Sequence, residues 1–269
     1  MSKLLIEGVA RTFPPARRGA EPTRALEPIT LAVADNDFIT VLGPSGCGKS
    51  TLLRIVAGLD RASAGRVLLD GEKVTGPGPD RGMVFQSYTL FPWLTVADNI
   101  AFGLREKGEP EAKRRQVAQA WCQRVGLAGF EQHYPKQLSG GMQQRTAIAR
   151  VLANDPKIML LDEPFGALDN QTRALMQETL LGIWERDKKT VLFVTHDIEE
   201  SIFLASRVVV MSARPGRIKA DVSVDLPYPR HYTIKTSPEF SALKARLTEE
   251  IRVEAVRAAE AGWGVGSRE

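Results

Sequence analysis

Three observations predict an α/β fold built on a parallel sheet. Four apolar runs, FITVL before Gly43, GMVF before Gln86, IMLL before Asp162 and VLFVT before His196, each stop at a polar residue or a glycine turn, as buried parallel strands do. Near the N-terminus, shorter apolar or alternating runs are bounded by Gly, Asp and Pro and read as a small antiparallel sheet. Between Gln86 and Ile158 the texture turns helical. Ligands of parallel sheets bind beyond the carboxyl ends of the strands, so the four strand ends are expected to converge on one site.

The elements follow in order. KLLIEGV, ITLAVAD and RVLLD supply the antiparallel strands. FITVL runs into GPSGCGKST at 43–51 and then the apolar helix TLLRIVAGL. In the next stretch Val117, Trp121 and Val125 are spaced by four, and Ile148, Val151 and Leu152 share one helical face. After Met211 comes ARPGRIKADVSVDLPYPR, rich in Pro and Gly, and then an amphipathic helix carrying Phe240, Leu243, Leu247 and Ile251. The expected organisation is a core with its antiparallel β subdomain at 1–87 and 155–220, a helical insertion at 88–154, and a short C-terminal extension at 221–269.

Composition narrows the classes. A chain of 269 residues with 43% hydrophobic content can bury a core. Its 36 basic and 32 acidic residues, net +4, are too balanced to announce a nucleic-acid binder, though they permit mild attraction to an acidic membrane surface. No apolar run approaches the roughly 18 residues of a membrane span, and MSKLLIEGVA lacks a secretory apolar region. A cytosolic chain, anchored if at all by another subunit, is expected. Cys47 and Cys122 make neither a disulfide framework nor a C-x-x-C pattern, which fits a reducing compartment.

The segment 43–51 satisfies G-x-x-x-x-G-K-S between a strand and a helix, the context that a phosphate loop requires. A chance match in such a chain is on the order of one in a hundred. Gly43, Gly46 and Gly48 let successive N–H groups of the loop, which also includes Pro44, Ser45, Cys47 and Thr51, turn inward as an anion nest, and the helix adds its dipole. Lys49 then bridges the β- and γ-phosphates and Ser50 ligates Mg²⁺. Cys47 has two readings. Beside Lys49 and a helix N-terminus its thiolate is favoured and nucleotide-protected; alternatively it is a small shielded side chain facing the core.

IMLLDE places two acids at the end of a buried strand, where idle carboxylates are costly. Asp162 fits a partner of Mg²⁺, and Glu163 fits the general base for an attacking water rather than a helix cap. Gln86 is acceptor and donor at once and fits contact with both metal and water. His196 follows a strand end and fits a contact to the γ-phosphate, against the commoner fate of a capping or core histidine. His133 and His231 lie in polar or Pro-rich stretches and read as surface residues.

LSGGMQQR at 138–145 precedes the helical run TAIARVLAND. Ser139 can cap that helix while Gly140 and Gly141 bare their N–H groups, making a second anion site. Two phosphate-binding surfaces in one chain invite a two-fold dimer, each closing over its partner's nucleotide. These residues resemble the signature of ATP-binding cassette ATPases, and the order 43–51, Gln86, 138–142, 158–163, GALD at 166–169 and His196 is similar to that family's. The resemblance spans about residues 3 to 220. It implies a P-loop NTPase core, ATP and Mg²⁺ as ligands, Ser139, Gly140 and Gly141 acting across the dimer, and Asp169 at its seam. It also implies an aromatic side chain stacking on adenine, for which Phe13 is the candidate. Met142 and Gly166 depart from the commoner Gln and Ser of the family pattern.

FPWLTVADNIAFGL, GPGPDRGMVFQ, DEPFGALD and SARPGRI look like the importer ATPases for nitrate, sulfonates, taurine and related small anions. Too few residues follow Ala220 for the C-terminal β domain of sugar and polyamine importers. The resemblance implies permease subunits in the membrane as partners, and indirectly a substrate-binding protein outside it. Phe91, Pro92 and Trp93 then belong to the groove that receives a permease helix, or, for Trp93, equally to the core. A nucleic-acid machine is the alternative, but the long coiled coils, zinc modules or second cassette of such proteins are absent from this sequence. A kinase is the other, and the signature segment with Glu163 weighs against it.

Overall fold

The computed structural model describes residues 2–15, 17 and 19–263. It begins with strands β1 (Leu4–Phe13), β2 (Thr23–Val33) and β3 (Phe38–Leu42), helix α1 (Lys49–Ala57), and strands β4 (Ala64–Leu69), β5 (Glu72–Lys73) and β6 (Arg81–Val84). Helices α2 (Val96–Glu106), α3 (Glu111–Arg124) and α4 (Gly140–Leu152) follow, then β7 (Ile158–Asp162), α5 (Asn170–Asp187) and β8 (Thr190–Thr195). The chain continues through α6 (Ile198–Leu204), β9 (Arg207–Met211), β10 (Ile218–Ser223) and α7 (Pro238–Trp263). Contacts divide it into two units, Met1–Gly78 with Lys189–Glu269, and Pro79–Lys188.

In the first unit the predicted antiparallel sheet forms in the order β2-β1-β4-β5. Leu4 faces Val33 on one side and Leu69 on the other. Leu4, Ile6 and Val9 are fully buried, and register shifts after Ile6 bend the strand where alternation breaks. The same unit holds β3 in parallel between β8 and β9. Every residue of β3 and β8 is buried, which is why both read as unbroken apolar runs rather than alternating ones. The register sets Leu42 beside Thr195. Strand β10, antiparallel to β9, arises within the Pro/Gly-rich segment, and of its residues only Val222 is buried.

α7 has the predicted apolar stripe. Phe240 and Leu247 are fully buried and Leu243 and Ile251 half-buried, against α6 and β9 of the same unit. The stripe continues unexpectedly into an acid, Glu254, only 2% exposed.

In the second unit β6 and β7 are parallel, with Val84 beside Leu161. α2 packs on α3 and α4, burying Trp121, Val125, Ile148, Val151 and Leu152 as their spacing predicts. His133, expected at the surface, is half-buried: its ring lies 4.9 Å from that of Phe130, and its carbonyl accepts the Val96 N–H at the start of α2. His231 is exposed as expected. Among the described residues no helix is long and apolar enough to cross a membrane.

Candidate functional site

The phosphate loop lies in the first unit between the buried strand β3 and α1. Gly46 and Gly48 have φ of +73° and +108°, values that L side chains adopt only with strain. Gly48 also has no room for a Cβ, which would sit 2.5 Å from Leu26 Cδ2. As N-cap of α1 it offers no side-chain acceptor, and a helix N-terminus of this kind is a place where anionic oxygens are favoured. The Lys49 ammonium folds back on the loop, donating to the carbonyls of Gly43 at 2.8 Å and Pro44 at 3.0 Å, and the residue is 4% exposed. Ser45 is exposed, Ser50 and Thr51 are half-buried.

Cys47 is fully buried. Its Sγ points to Gly43, 3.0 Å from where a Cβ on that residue would lie. Of the two sequence readings the shielded one holds, since the side chain is turned away from solvent toward Gly43.

His196 follows Thr195, whose register partner is Leu42, so it stands at the strand end beside Gly43 and the phosphate loop. It is exposed, hence no core histidine, and the capping role belongs to the next residue: Asp197 Oδ1 accepts the Glu200 N–H at 3.0 Å. Phe13 ends β1, two residues beyond Arg11, the partner of the Leu26 that packs on Gly48. It is half-buried and the Arg11 guanidinium covers one ring face at 4.5 Å.

The other predicted residues belong to the second unit. Because Val84 pairs with Leu161, Gln86 and the pair Asp162, Glu163 emerge from neighbouring strand ends. Gln86 is exposed, Asp162 is 5% exposed and Glu163 half-buried. Glu163 has φ +44°, a left-handed conformation unusual for a glutamate. The extended backbone of β7 therefore ends at Asp162, and Glu163 begins the turn that follows.

Ser139 is the N-cap of α4, its Oγ accepting the Met142 N–H at 3.4 Å. Gly140 and Gly141 have a packing reason as well as bare N–H groups: a Cβ on either would lie 2.9 Å from the Tyr88 hydroxyl or 2.6 Å from Thr172 Cγ2. Thr172 in turn belongs to the cap of α5, where Asp169 accepts the N–H groups of Gln171 and Thr172 and the Thr172 hydroxyl. The Thr172 N–H and hydroxyl hold the Asp169 carboxyl below its ordinary range. Sequence reasoning passed over Arg214, whose Nε donates to the Gly46 carbonyl at 3.1 Å; its only signal was membership of SARPGRI.

Ser50 in the first unit, and Gln86 and Asp162 in the second, each carry a side-chain oxygen of the kind Mg²⁺ takes. Among the described residues no group of three or more His, Cys, Asp or Glu is placed to hold a metal ion.

Residues 26–166 match the model of the ABC transporter family. The chain belongs to that family. An uncharacterized ABC transporter ATP-binding protein of Methanocaldococcus jannaschii is 53% identical, over 95% of this chain and 93% of that protein. The aliphatic sulfonates import ATP-binding protein SsuB of Bacillus cereus is 48% identical over 91% of this chain and 94% of its own length. The nitrate import ATP-binding protein NrtD of Synechocystis is 49% identical over 84% and 90%. A solved ATP-binding cassette, a dimer in a post-hydrolysis state with ADP and Pi, has a TM-score of 0.73 and 34% identity, covering 83% of this chain and all of that one. The ABC fold is therefore established, and with it the activity: the chain is an ATPase that takes ATP with Mg²⁺.

Proposed function

We propose that this ABC ATPase powers an importer of a small anion of the nitrate, sulfonate or taurine kind, working at the cytoplasmic face of the membrane. Support for the substrate class comes from the import proteins for sulfonates and nitrate at about half identity over most of both chains. The partners are a second copy of the chain, permease subunits in the membrane, and through them a substrate-binding protein. The core at 1–87 and 155–220 carries the nucleotide chemistry, the helical segment 88–154 meets the permease, and 221–269 forms an extension; the mutual packing of α2, α3 and α4 supports the middle boundary.

In this mechanism the nest at Gly43–Thr51 and Lys49 hold the phosphates, and Phe13 stacks on adenine. Ser50, Gln86 and Asp162 hold Mg²⁺, which neutralises charge on the phosphates. Ser139, Gly140 and Gly141 of the partner copy close over the γ-phosphate as ATP draws two chains together. Glu163 takes the proton of the attacking water while Gln86 and His196 orient it, and the released phosphate lets the dimer reopen. The observation that carries the hydrolytic step is Glu163 itself, half-buried at φ +44° directly after the buried Asp162. Glu163→Gln should keep nucleotide binding, slow hydrolysis by roughly 10² or more, and accumulate an ATP-bound dimer on size-exclusion chromatography. Wild-type turnover in this variant would remove Glu163 as the base.

A further inference from the structure

The outer side of the phosphate loop is braced by a segment that no phosphate-binding motif includes. Arg214 Nε donates to the Gly46 carbonyl at 3.1 Å. Two residues on, Gly216 lies so close to the next carbonyl that a Cβ there would be 2.1 Å from Cys47 O. Gly216 is itself pinned, its N–H donating to Ala25 O and its carbonyl accepting the Glu27 N–H, both at 2.9 Å. The loop between β9 and β10 is closed by Ser212, whose Oγ donates to the carbonyls of Ala213 and Pro215 and accepts the Arg217 N–H.

The brace is anchored from α7. Glu254 Oε2 accepts the Ala213 N–H at 2.9 Å, while Oε1 pairs with Lys219 at 3.2 Å and Arg257 at 3.0 Å. Burial raises the pKa of this acid, but the Ala213 N–H, Lys219 and Arg257 outweigh it and hold the carboxyl below its ordinary range. An acid only 2% exposed on the apolar stripe of an amphipathic helix is costly and persists where its partners need it.

A peptide plane is rigid, so a carbonyl held on one side sends the N–H of the same plane to the other. The carbonyls of Gly46 and Cys47 belong to the planes that carry the N–H groups of Cys47 and Gly48, two members of the anion nest. The Cys47 N–H also reaches the Pro44 carbonyl at 3.4 Å, so the same plane is tied to the loop on one side and to Arg214 on the other. Fixing it beforehand spares a nucleotide the cost of ordering it.

We propose that Arg214 and Glu254 are positioning residues of the nucleotide site, through which the C-terminal helix holds the phosphate loop in its anion-binding shape. The inference rests on this loop binding ATP. Titration calorimetry with ATP, steady-state ATPase kinetics and melting without nucleotide are to be compared for the full chain and its variants. Arg214→Ala is expected to weaken ATP binding about tenfold, the worth of one charge-assisted hydrogen bond, raising KM with kcat within about twofold. Glu254→Ala should act in the same direction, and Glu254→Gln, whose amide oxygen still accepts the Ala213 N–H, should recover part of the loss. The double variant Arg214→Ala with Glu254→Ala should be no weaker than the weaker single one, since both act on one path. Arg252→Ala, on the same helix but paired with exposed Glu249, should bind like wild type.

Lowered melting temperatures with unchanged ATP affinity would overturn the proposal, as would additive losses in the double variant. Should Glu254→Ala fail to fold, Arg214→Ala, truncated at an exposed side chain, decides alone. A wild-type chain that bound no ATP would instead bring down the nucleotide reading of the loop.

Discussion

Glu163 and Cys47 show what a single side chain owes to its backbone. A left-handed glutamate costs on the order of 1–2 kcal/mol against an ordinary conformation, and such strain collects where the surroundings enforce a functional geometry. IMLLDE announces two acids but not that the second turns out of line; that depends on the tight turn in which Gly166 N–H reaches back to Glu163 O at 3.2 Å. Cys47 is the opposite case, a side chain whose local charges favour reactivity and whose burial forbids it. Cys122 is also fully buried, and burial, with the nearby Glu131 charge, pushes its thiol up to about 11. N-ethylmaleimide should therefore label neither cysteine in the native chain, with or without Mg-ATP, and both in guanidinium. Mass spectrometry reads the outcome, and rapid nucleotide-sensitive labelling of Cys47 would show that the loop opens far beyond this structure.

The turn before α2 settles the question left open for Trp93. Asn99, fully buried, donates to the carbonyls of Phe91, Leu94 and Thr95 and accepts the Phe91 N–H. Phe91 packs on Phe102 at 4.3 Å, so the turn is held from beneath while Trp93 stands 70% exposed above it. A large aromatic displayed on a fixed turn suits an interface rather than a core. Trp93→Ala should leave the melting temperature and basal ATPase of the isolated chain unchanged and weaken its co-purification with permease subunits. A loss of several kcal/mol, the cost of truncating a buried tryptophan, would place it in the core after all. Sequence spacing had no means of choosing, since FPWL is equally apolar in either setting, and the buried amide that decides the matter is an unremarkable polar residue in a helix.

For the molecule as a whole the proposed chemistry needs more than one chain. The phosphate loop and the Ser139-capped start of α4 belong to different units, and each is a helix N-terminus able to take an anion. If they meet across two copies, Ser139→Arg should abolish ATPase in a homodimer, and so should Lys49→Ala. A mixture of the two variants should regain activity at one composite site in part of the population, reaching at most a fraction of the wild-type rate. Absence of recovery at every mixing ratio, with mixed dimers shown to form, would argue for assembly within one chain.

Strand and loop identities were legible because their causes are local. Burial on both faces makes FITVL and VLFVT continuous, and a loop that must bend through left-handed angles at Gly46 and Gly48 has to be written in glycine. Helix caps such as Ser139 were legible for the same reason. The fate of Cys47, the turning of Glu163, the exposure of Trp93 and the reach of Arg214 and Glu254 to the phosphate loop were not. The first three rest on how a turn folds over its near neighbours, and the last on atoms distant in the chain, 168 residues apart for Arg214 and Gly46 and 41 for Glu254 and Ala213. Pattern along a chain reports how each segment meets water and its own backbone; which neighbour it meets is set when the segments pack.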